Sequence, residues 1–404
     1  MTWSERRVQE MADLINGFPF DSADFSDDAD LPLVRIRDIL GDSFETFVSS
    51  DVVPESAMIR NGDVLVGMDG DFNVVHWLRG TAALNQRLCL LRANGRADMR
   101  FLAYALPAHL QVINDLTYAT TVKHLSSSQV RGIRMTAPDP EEQRAIADYL
   151  DRETARIDTL IDEQQRLIEM LGERRTAVVD ATVWYGLDPE AAREATGIDP
   201  APSAPAHWQR VRNKNLFFES SALSVNGEEE LLTVSHLTGI TPRSEKQNVN
   251  MTEAESLVGY RCVEAGDLVI NTMWAWMGAL GVSKISGIVS PAYGVYRPLA
   301  QVELEPRFFD YLYRSRPYII EMTRHSRGIW ESRLRLYPES FLRLHVVVPP
   351  VSEQRRIADH LDEQITKLDR LITEAERFVE LARERRAALI AAAVTGQLDV
   401  REMT

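Results

Sequence analysis

A chain of 404 residues is longer than one typical core, so two or three domains are expected. With 45% hydrophobic and 26% charged residues, and with no apolar run of about 18 residues, the composition is that of a globular protein without a membrane helix. The start lacks an apolar signal-peptide core, and Cys89 and Cys262 stand alone. A disulfide framework and a cysteine-built zinc site are therefore not expected, and the cytoplasm is the expected compartment. The net charge of −15 argues against a nucleic-acid binder only until it is counted by segment. Residues 1–75 carry 5 Lys/Arg against 16 Asp/Glu, whereas 76–137 carry 8 against 2 and 271–348 carry 10 against 6. The segments 138–188 (6 against 13) and 349–404 (9 against 11) are acidic again. Two separate basic stretches are the electrostatic footprint of a DNA binder, although a solvated face can show the same imbalance.

In chain order, the acidic cluster Asp21, Asp24, Asp27, Asp28 and Asp30 misses the spacing of a calcium loop and reads as a solvated loop. Asn61-Gly62-Asp63-Val64-Leu65-Val66 is a turn entering a strand. Short apolar strands follow, then a helix over Met99–Leu116 and a strand over Gly132–Met135. Arg87, Arg92, Arg96, Arg131 and Arg134 supply a basic field here. The loop Tyr118–Ser126 carries Lys123, the leading phosphate-contact candidate, and His124. From Pro140 the chain reads as one long helix up to a stop at Gly186. Asp188–His207, with Pro189, Pro200, Pro202 and Pro205, reads as a linker.

The second half runs in the same order. Ala265-Gly266-Asp267-Leu268-Val269-Ile270 is again a turn entering a strand, followed by a helix over Pro306–Arg324 and a strand over Arg343–Val348. Phe308, Phe309, Tyr311 and Leu312 lie at helical spacing and are expected in the core. Trp274 and Trp276 read either as DNA contacts or as half-buried packing. The polar stretch Arg324–Arg333 reads as a loop presenting Arg324, Arg327, Trp330 and Arg333, with Arg335 beyond it. Arginine suits both phosphates and guanine edges because its planar fork donates two hydrogen bonds at once. From Pro350 a second long helix runs to Gly396.

The two long helices repeat one another. A shift of 211 positions takes Glu142-Gln143-Arg144 to Glu353-Gln354-Arg355, Leu150-Asp151 to Leu361-Asp362, Asp158 to Asp369 and Glu173-Arg174-Arg175 to Glu384-Arg385-Arg386, without a gap. Their apolar residues follow a heptad, with Leu150, Ile157, Ile161, Ile168 and Leu171 in one copy. The other copy supplies Leu361, Leu368, Ile372, Val379 and Leu389. This seam predicts that the two helices pack on each other, the alternative being an ordinary helical bundle. The expected fold is α+β: two mixed α/β domains separated by two long helices packed as an antiparallel coiled coil, in a pseudo-twofold repeat. The expected boundaries are 1–138 and 207–348 for the domains, 139–187 and 349–396 for the helices, 188–206 for a linker and 397–404 for a tail.

Catalytic signatures are missing. There is no phosphate-binding Gly-x-x-x-x-Gly-Lys-Ser/Thr loop, no Asn/Asp-Pro-Pro-aromatic run and no Gly-x-Ser-x-Gly elbow, and the histidines show no metal-ligand spacing. No catalytic residue and no metal site are expected.

Taken together, the order of domain, Glu-Gln-Arg-x-Ile-Ala helix, domain and helix resembles the specificity subunit of type I restriction–modification systems. The carrying residues are Pro140, Glu142-Gln143-Arg144, Ile146-Ala147 and Pro350, Glu353-Gln354-Arg355, Ile357-Ala358. Gly17-Phe18-Pro19-Phe20 and Pro32–Arg37 add to them. Pro205-Ala206-His207-Trp208 before the second domain has no visible counterpart before the first, a departure from a perfect repeat. The resemblance implies a non-catalytic DNA-binding chain in which each domain reads one half of a bipartite double-stranded target. The helices would set the spacer and dock two methyltransferase subunits. S-adenosylmethionine, ATP and Mg would belong to methyltransferase and restriction partner subunits, with no cofactor in this chain. A coiled-coil scaffold whose globular ends bind protein is the alternative reading.

Overall fold

The computed structural model describes residues 3–116, 123–245, 256–328 and 334–400. The chain divides into two compact units, one formed by Met1–Gln165 with Arg377–Thr404 and the other by Arg166–Glu376. The division falls inside the long helices, Pro140–Tyr185 and Val351–Val394, so each unit owns a half of both. Neither helix contains an internal proline, and both stop before a glycine in the left-handed region, Gly186 (φ 74°) and Gly396 (φ 73°).

In the first unit a four-stranded sheet runs in the order Ala12–Asn16, Leu88–Ala93, Val64–Gly67, Val74–His76, all antiparallel. A second sheet is built from Phe47–Val48, Leu31–Val34, Ala82–Leu84 and Met58–Ile59. Ser4–Arg7 pairs with Arg134–Ala137 just before the long helix begins. Helix Met99–Leu116 buries Phe101, Leu102 and Leu106 in one core with Val64, Val66 and Leu91 of the sheet. Ile146, Leu150, Ala393 and Val394 of the long helices complete that core. Burial of this apolar area, at about 25 cal/mol per Å², binds the domain to its half of the helix pair.

The second unit repeats the plan. Its sheet order is Phe217–Glu219, Gly294–Pro298, Leu268–Ile270, Leu280–Val282. Gln209–Arg212 pairs with His345–Val348 as Ser4–Arg7 pairs with Arg134–Ala137. Phe308, Phe309 and Leu312 are buried as expected, and share their core with Val183, Trp184, Ile357 and Leu361. The seam residues Leu150, Ile157, Ile161, Leu361, Leu368 and Val379 are buried, and Ile168, Leu171, Ile372 and Leu389 are half-buried. Within each unit the helix halves run antiparallel: in the first, Asp158 lies against Arg386 while Asp151, a turn or two earlier, shares a cavity with Ile390 and Val394.

Three expectations need correction. Residues 188–206 are not a bare linker. They form a hairpin, Arg193–Ile198 with Ala201–Pro205, because Ile198, Ala201 and Ala204 supply a buried apolar face to the second core. The helix expected over Pro306–Arg324 is two, Pro306–Arg314 and Arg316–Arg324, broken at the extended Ser315. Pro317 lacks the N–H a continuous helix would need, and the buried Trp184 indole donates to Ser315 Oγ at 3.0 Å, which holds the corner. Finally, Trp208 does have a counterpart. It lies over Gly186, where an added Cβ would sit 3.2 Å from the ring, and Trp3 lies over Gly396 in the same way at 3.1 Å. The match is hidden in the sequence because Thr2 stands before Trp3 where His207 stands before Trp208.

Candidate nucleic-acid interface

In each unit two segments far apart in sequence are stitched edge to edge by backbone hydrogen bonds. In the first, Leu125 N donates to Met68 O at 2.7 Å and Gly70 N to Lys123 O at 3.0 Å. In the second, Leu336 N donates to Thr272 O at 3.0 Å. Arg327 and Arg335 exchange a pair of backbone bonds of 2.9 and 3.0 Å. Leu125 and Leu336, both fully buried, are the pegs under these lips. At each lip a polar side chain is exposed, His124 in the first unit and Arg335 in the second, while Asp69, Lys123, Thr272 and Met273 are half-buried.

The lips occupy equivalent places but differ in chemistry. In the first unit Asp69 gathers His124 Nδ1 (2.7 Å) and Arg87 Nε (3.5 Å). In the second, Met273 and Arg335 take the places of Asp69 and His124, with Arg335 lying 3.7 Å from the Met273 sulfur. Trp274 is 49% exposed beside them, whereas Trp276 is half-buried and donates its indole N–H to Met273 O at 3.1 Å. Of the two readings left open for these tryptophans, exposure fits contact for Trp274 and packing for Trp276.

The other candidates are placed as follows. Lys123 Nζ donates to both the main-chain O and Oδ1 of Asn114, each at 2.7 Å, so two of its three protons are spent inside the fold. Arg131 is exposed, and Arg134 is paired with Glu5 at 3.0 Å. Arg324 is paired with Asp199 at 2.9 Å, and Arg327 is exposed. Trp330 and Arg333 lie outside the described residues. Burial pushes the Cys89 thiol up to about 12, against the nearby Arg131 charge, so this cysteine is an inert core residue. Among the described residues, no three His, Cys, Asp or Glu side chains come together as a metal site.

A second arrangement escaped the sequence reading. Arg100 donates to Asp148 (2.7 Å), Asp151 (2.8 Å) and Asp98 (3.1 Å), and Tyr104 OH donates to Asp151 (2.7 Å). The second unit repeats it with one change, Glu305 standing for Asp98 and approached by Arg307 Nε rather than by a terminal nitrogen. Arg307 reaches Asp359 (2.9 Å), Asp362 (2.7 Å) and Glu305 (2.8 Å), and Tyr311 OH reaches Asp362 (2.7 Å). The glutamines of the repeated motif belong to the same joint. Gln143, fully buried, donates to Pro138 O (2.8 Å) and accepts from Asp98 N (3.0 Å). Gln354 does the same with Pro349 O (2.9 Å) and Glu305 N (2.9 Å). A buried carboxamide must use both its donor and its acceptor, which accounts for glutamine at this place. Hydrogen bonds to Glu305 and Asp362 raise the Arg307 pKa. For Arg100, burial works the other way and the carboxylates outweigh it. The signal was in the sequence: Arg-x-x-x-Tyr occurs at both Arg100 and Arg307, each beside the start of a helix.

These observations define a class: two α/β units, each with a lip and each built onto its own antiparallel halves of the long helices. Residues 1–170 match the family model described as type I restriction modification DNA specificity domain. The specificity subunit of the type I restriction enzyme EcoBI of Escherichia coli is 36% identical over 184 residues. That stretch is 45% of this chain and 39% of the relative, so the match spans less than half of either. A solved chain described under complex assembly and conformational transition of the type I R-M system superposes with a TM-score of 0.71 at 17% identity, covering 98% of each chain. The HsdS subunit from Thermoanaerobacter tengcongensis superposes at 0.54 with 18% identity, covering 98% of this chain and 97% of that one. At such identities these two show the fold. The likeness to the type I restriction–modification DNA specificity domain is thus carried in sequence by residues 1–170.

Proposed function

We propose that this chain is the sequence-specificity subunit of a type I restriction–modification complex. Each lip reads one half of a bipartite target in double-stranded DNA, and the long helices set the spacer between the halves. The observation that carries this reading is the pair of equivalent lips with unlike side chains, Asp69 and His124 in one, Met273 and Arg335 in the other. Two readers of different half-sites need the same frame and different edges. The segregated charge agrees, with both basic stretches falling in the lip-bearing domains.

The helices also carry apolar side chains that no core covers. Leu160, Phe378 and Leu381 are exposed in the first unit, and their repeat mates Leu371, Leu167 and Met170 are exposed in the second. Two equal faces suit two copies of one partner, the methyltransferase subunit. Adenine methylation with S-adenosylmethionine, and ATP- and Mg-dependent restriction, reside in the partner subunits, and this chain is non-catalytic. No helix of the described residues is long and apolar enough to cross a membrane, and the assembly works on DNA in the cytoplasm.

The test is reconstitution with the methyltransferase encoded beside it. Methylation at one bipartite sequence, with affinity that falls steeply as salt rises, is the expected result. Salt-insensitive binding to a protein partner, with no sequence-specific methylation, would support a scaffold instead.

A further inference from the structure

We propose that the Arg100 and Arg307 networks are positioning latches that hold each lip at a fixed angle to its long helix, and that spacer selectivity depends on them as much as on helix length. The proposal rests on the bipartite reading above. In each unit the arginine sits in the first turn of the helix that leads to the lip, and its Nη1 bridges two carboxylates one turn apart on the long helix. In the first unit this helix is a lever. Arg100 is at its start, while Asn114 near its end donates to Gly70 O of the lip at 2.6 Å. Fourteen residues at 1.5 Å each give an arm of about 21 Å, so a tilt of about 10° at the latch moves the lip by roughly 4 Å. That is on the order of one 3.4 Å base step. In the second unit the path runs through Pro306–Arg314 and Arg316–Arg324 to Arg327.

The physical chemistry favours a geometric role over a stabilising one. The Arg100 and Arg307 side chains are 28% and 40% exposed, and Asp148 and Asp359 are 52% and 68% exposed, so solvent screens the charges and the net stabilisation is small. Direction is another matter. The carboxylate at the start of the short helix, Asp98 or Glu305, aims the guanidinium, and its Nη1 together with a phenol on the same long-helix carboxylate restricts the orientation of the short helix on the long one. The lips have diverged while both latches keep the Nη1 bridge and the phenol, as expected if the two half-sites differ and the mounting does not.

The experiment uses the chain assembled with its methyltransferase subunits. DNA carrying the two half-sites at a series of spacer lengths is methylated by the native complex and by complexes with Arg307→Gln, Arg307→Lys and Tyr311→Phe. Arg307→Gln is expected to broaden the accepted spacers to neighbouring lengths and to reduce the preference for the native length several-fold. Both half-site sequences should stay unchanged. Arg307→Lys, which keeps the charge but loses the fork, should fall between, and Tyr311→Phe should give a smaller broadening in a chain that retains every ion pair. Unchanged spacer selectivity in assembled Arg307→Gln and Tyr311→Phe complexes, whatever happens to their melting temperature, overturns the latch and leaves the bipartite reading standing. A native complex that methylates equally at every spacer length overturns both.

Discussion

Arg175 Nε donates to Asp369 at 3.0 Å in the second unit. Moving each residue to its repeat mate gives Arg386 and Asp158, whose charged atoms approach to 2.8 Å in the first, without the alignment of a hydrogen bond. The same two side chains, exchanged between helices, thus mark the antiparallel register in each unit. Arg175 and Asp369 are 45% and 52% exposed, so Arg175→Asp should cost only about 0.2–1 kcal/mol beyond the lost packing. Adding Asp369→Arg should recover most of it. A double-mutant cycle by urea unfolding checks this, and coupling indistinguishable from zero would remove the pair as a register device.

The seam itself should matter more. Leu361 is fully buried in the second core, so Leu361→Ala should cost ~2–5 kcal/mol. Leu371, 48% exposed on the same helix, should cost under about 0.5 kcal/mol when changed to alanine. It should instead weaken retention of the methyltransferase subunit in a pull-down. Equal unfolding midpoints for the two variants would contradict the assignment of faces.

Gly396 offers a local test of the hidden repeat. Its φ of 73° disfavours any side chain, and an added Cβ would meet the Trp3 ring at 3.1 Å. Gly396→Ala should therefore destabilise by roughly 1–3 kcal/mol. The loss should be smaller when measured on a Trp3→Ala background, because the clash is gone and only the backbone strain remains. Calorimetry of the four chains reads the difference.

At the lips, Arg335→Ala should weaken binding at the second half-site alone, by ~1–3 kcal/mol if its fork reads a base. Lys123→Ala should behave differently. Two of its donors hold Asn114, so its loss should lower stability by about 1–2 kcal/mol and leave the salt dependence of DNA binding unchanged. A salt slope that falls by about one unit would show that Lys123 contacts phosphate after all.

Two histidines should make the first unit acid-sensitive. Burial lowers the pKa of His76, with Asp151 opposing, Arg100 adding to the fall and Asp98 opposing. Burial alone lowers that of His109. A group whose folded pKa lies below its unfolded value of about 6.5 favours its neutral form on folding. Its contribution is present above that pH and is lost as pH drops through the folded value. Melting temperature should thus decline below about pH 6.5. A chain with His76→Gln and His109→Gln should show a flatter acid limb, and an identical limb would exclude these groups.

Much of this protein was legible in one dimension. The long helices, their seam and their stops follow from heptad spacing and glycine, which act within a few residues of sequence. Helix Met99–Leu116 and the entries at Asp63 and Asp267 were readable for the same reason. So was the absence of familiar catalytic motifs. The motif Glu-Gln-Arg identified the repeat, but not why its glutamine is there. Only the fold brings Gln143 to Asp98 and Arg100 to Asp151, 45 and 51 positions apart, and joins Met68 to Leu125 and Thr272 to Leu336 as lips. Periodicity reports which face of a segment is apolar. It carries no record of which distant polar group will complete a hydrogen bond, and both the reading edge and its mounting are made of such bonds.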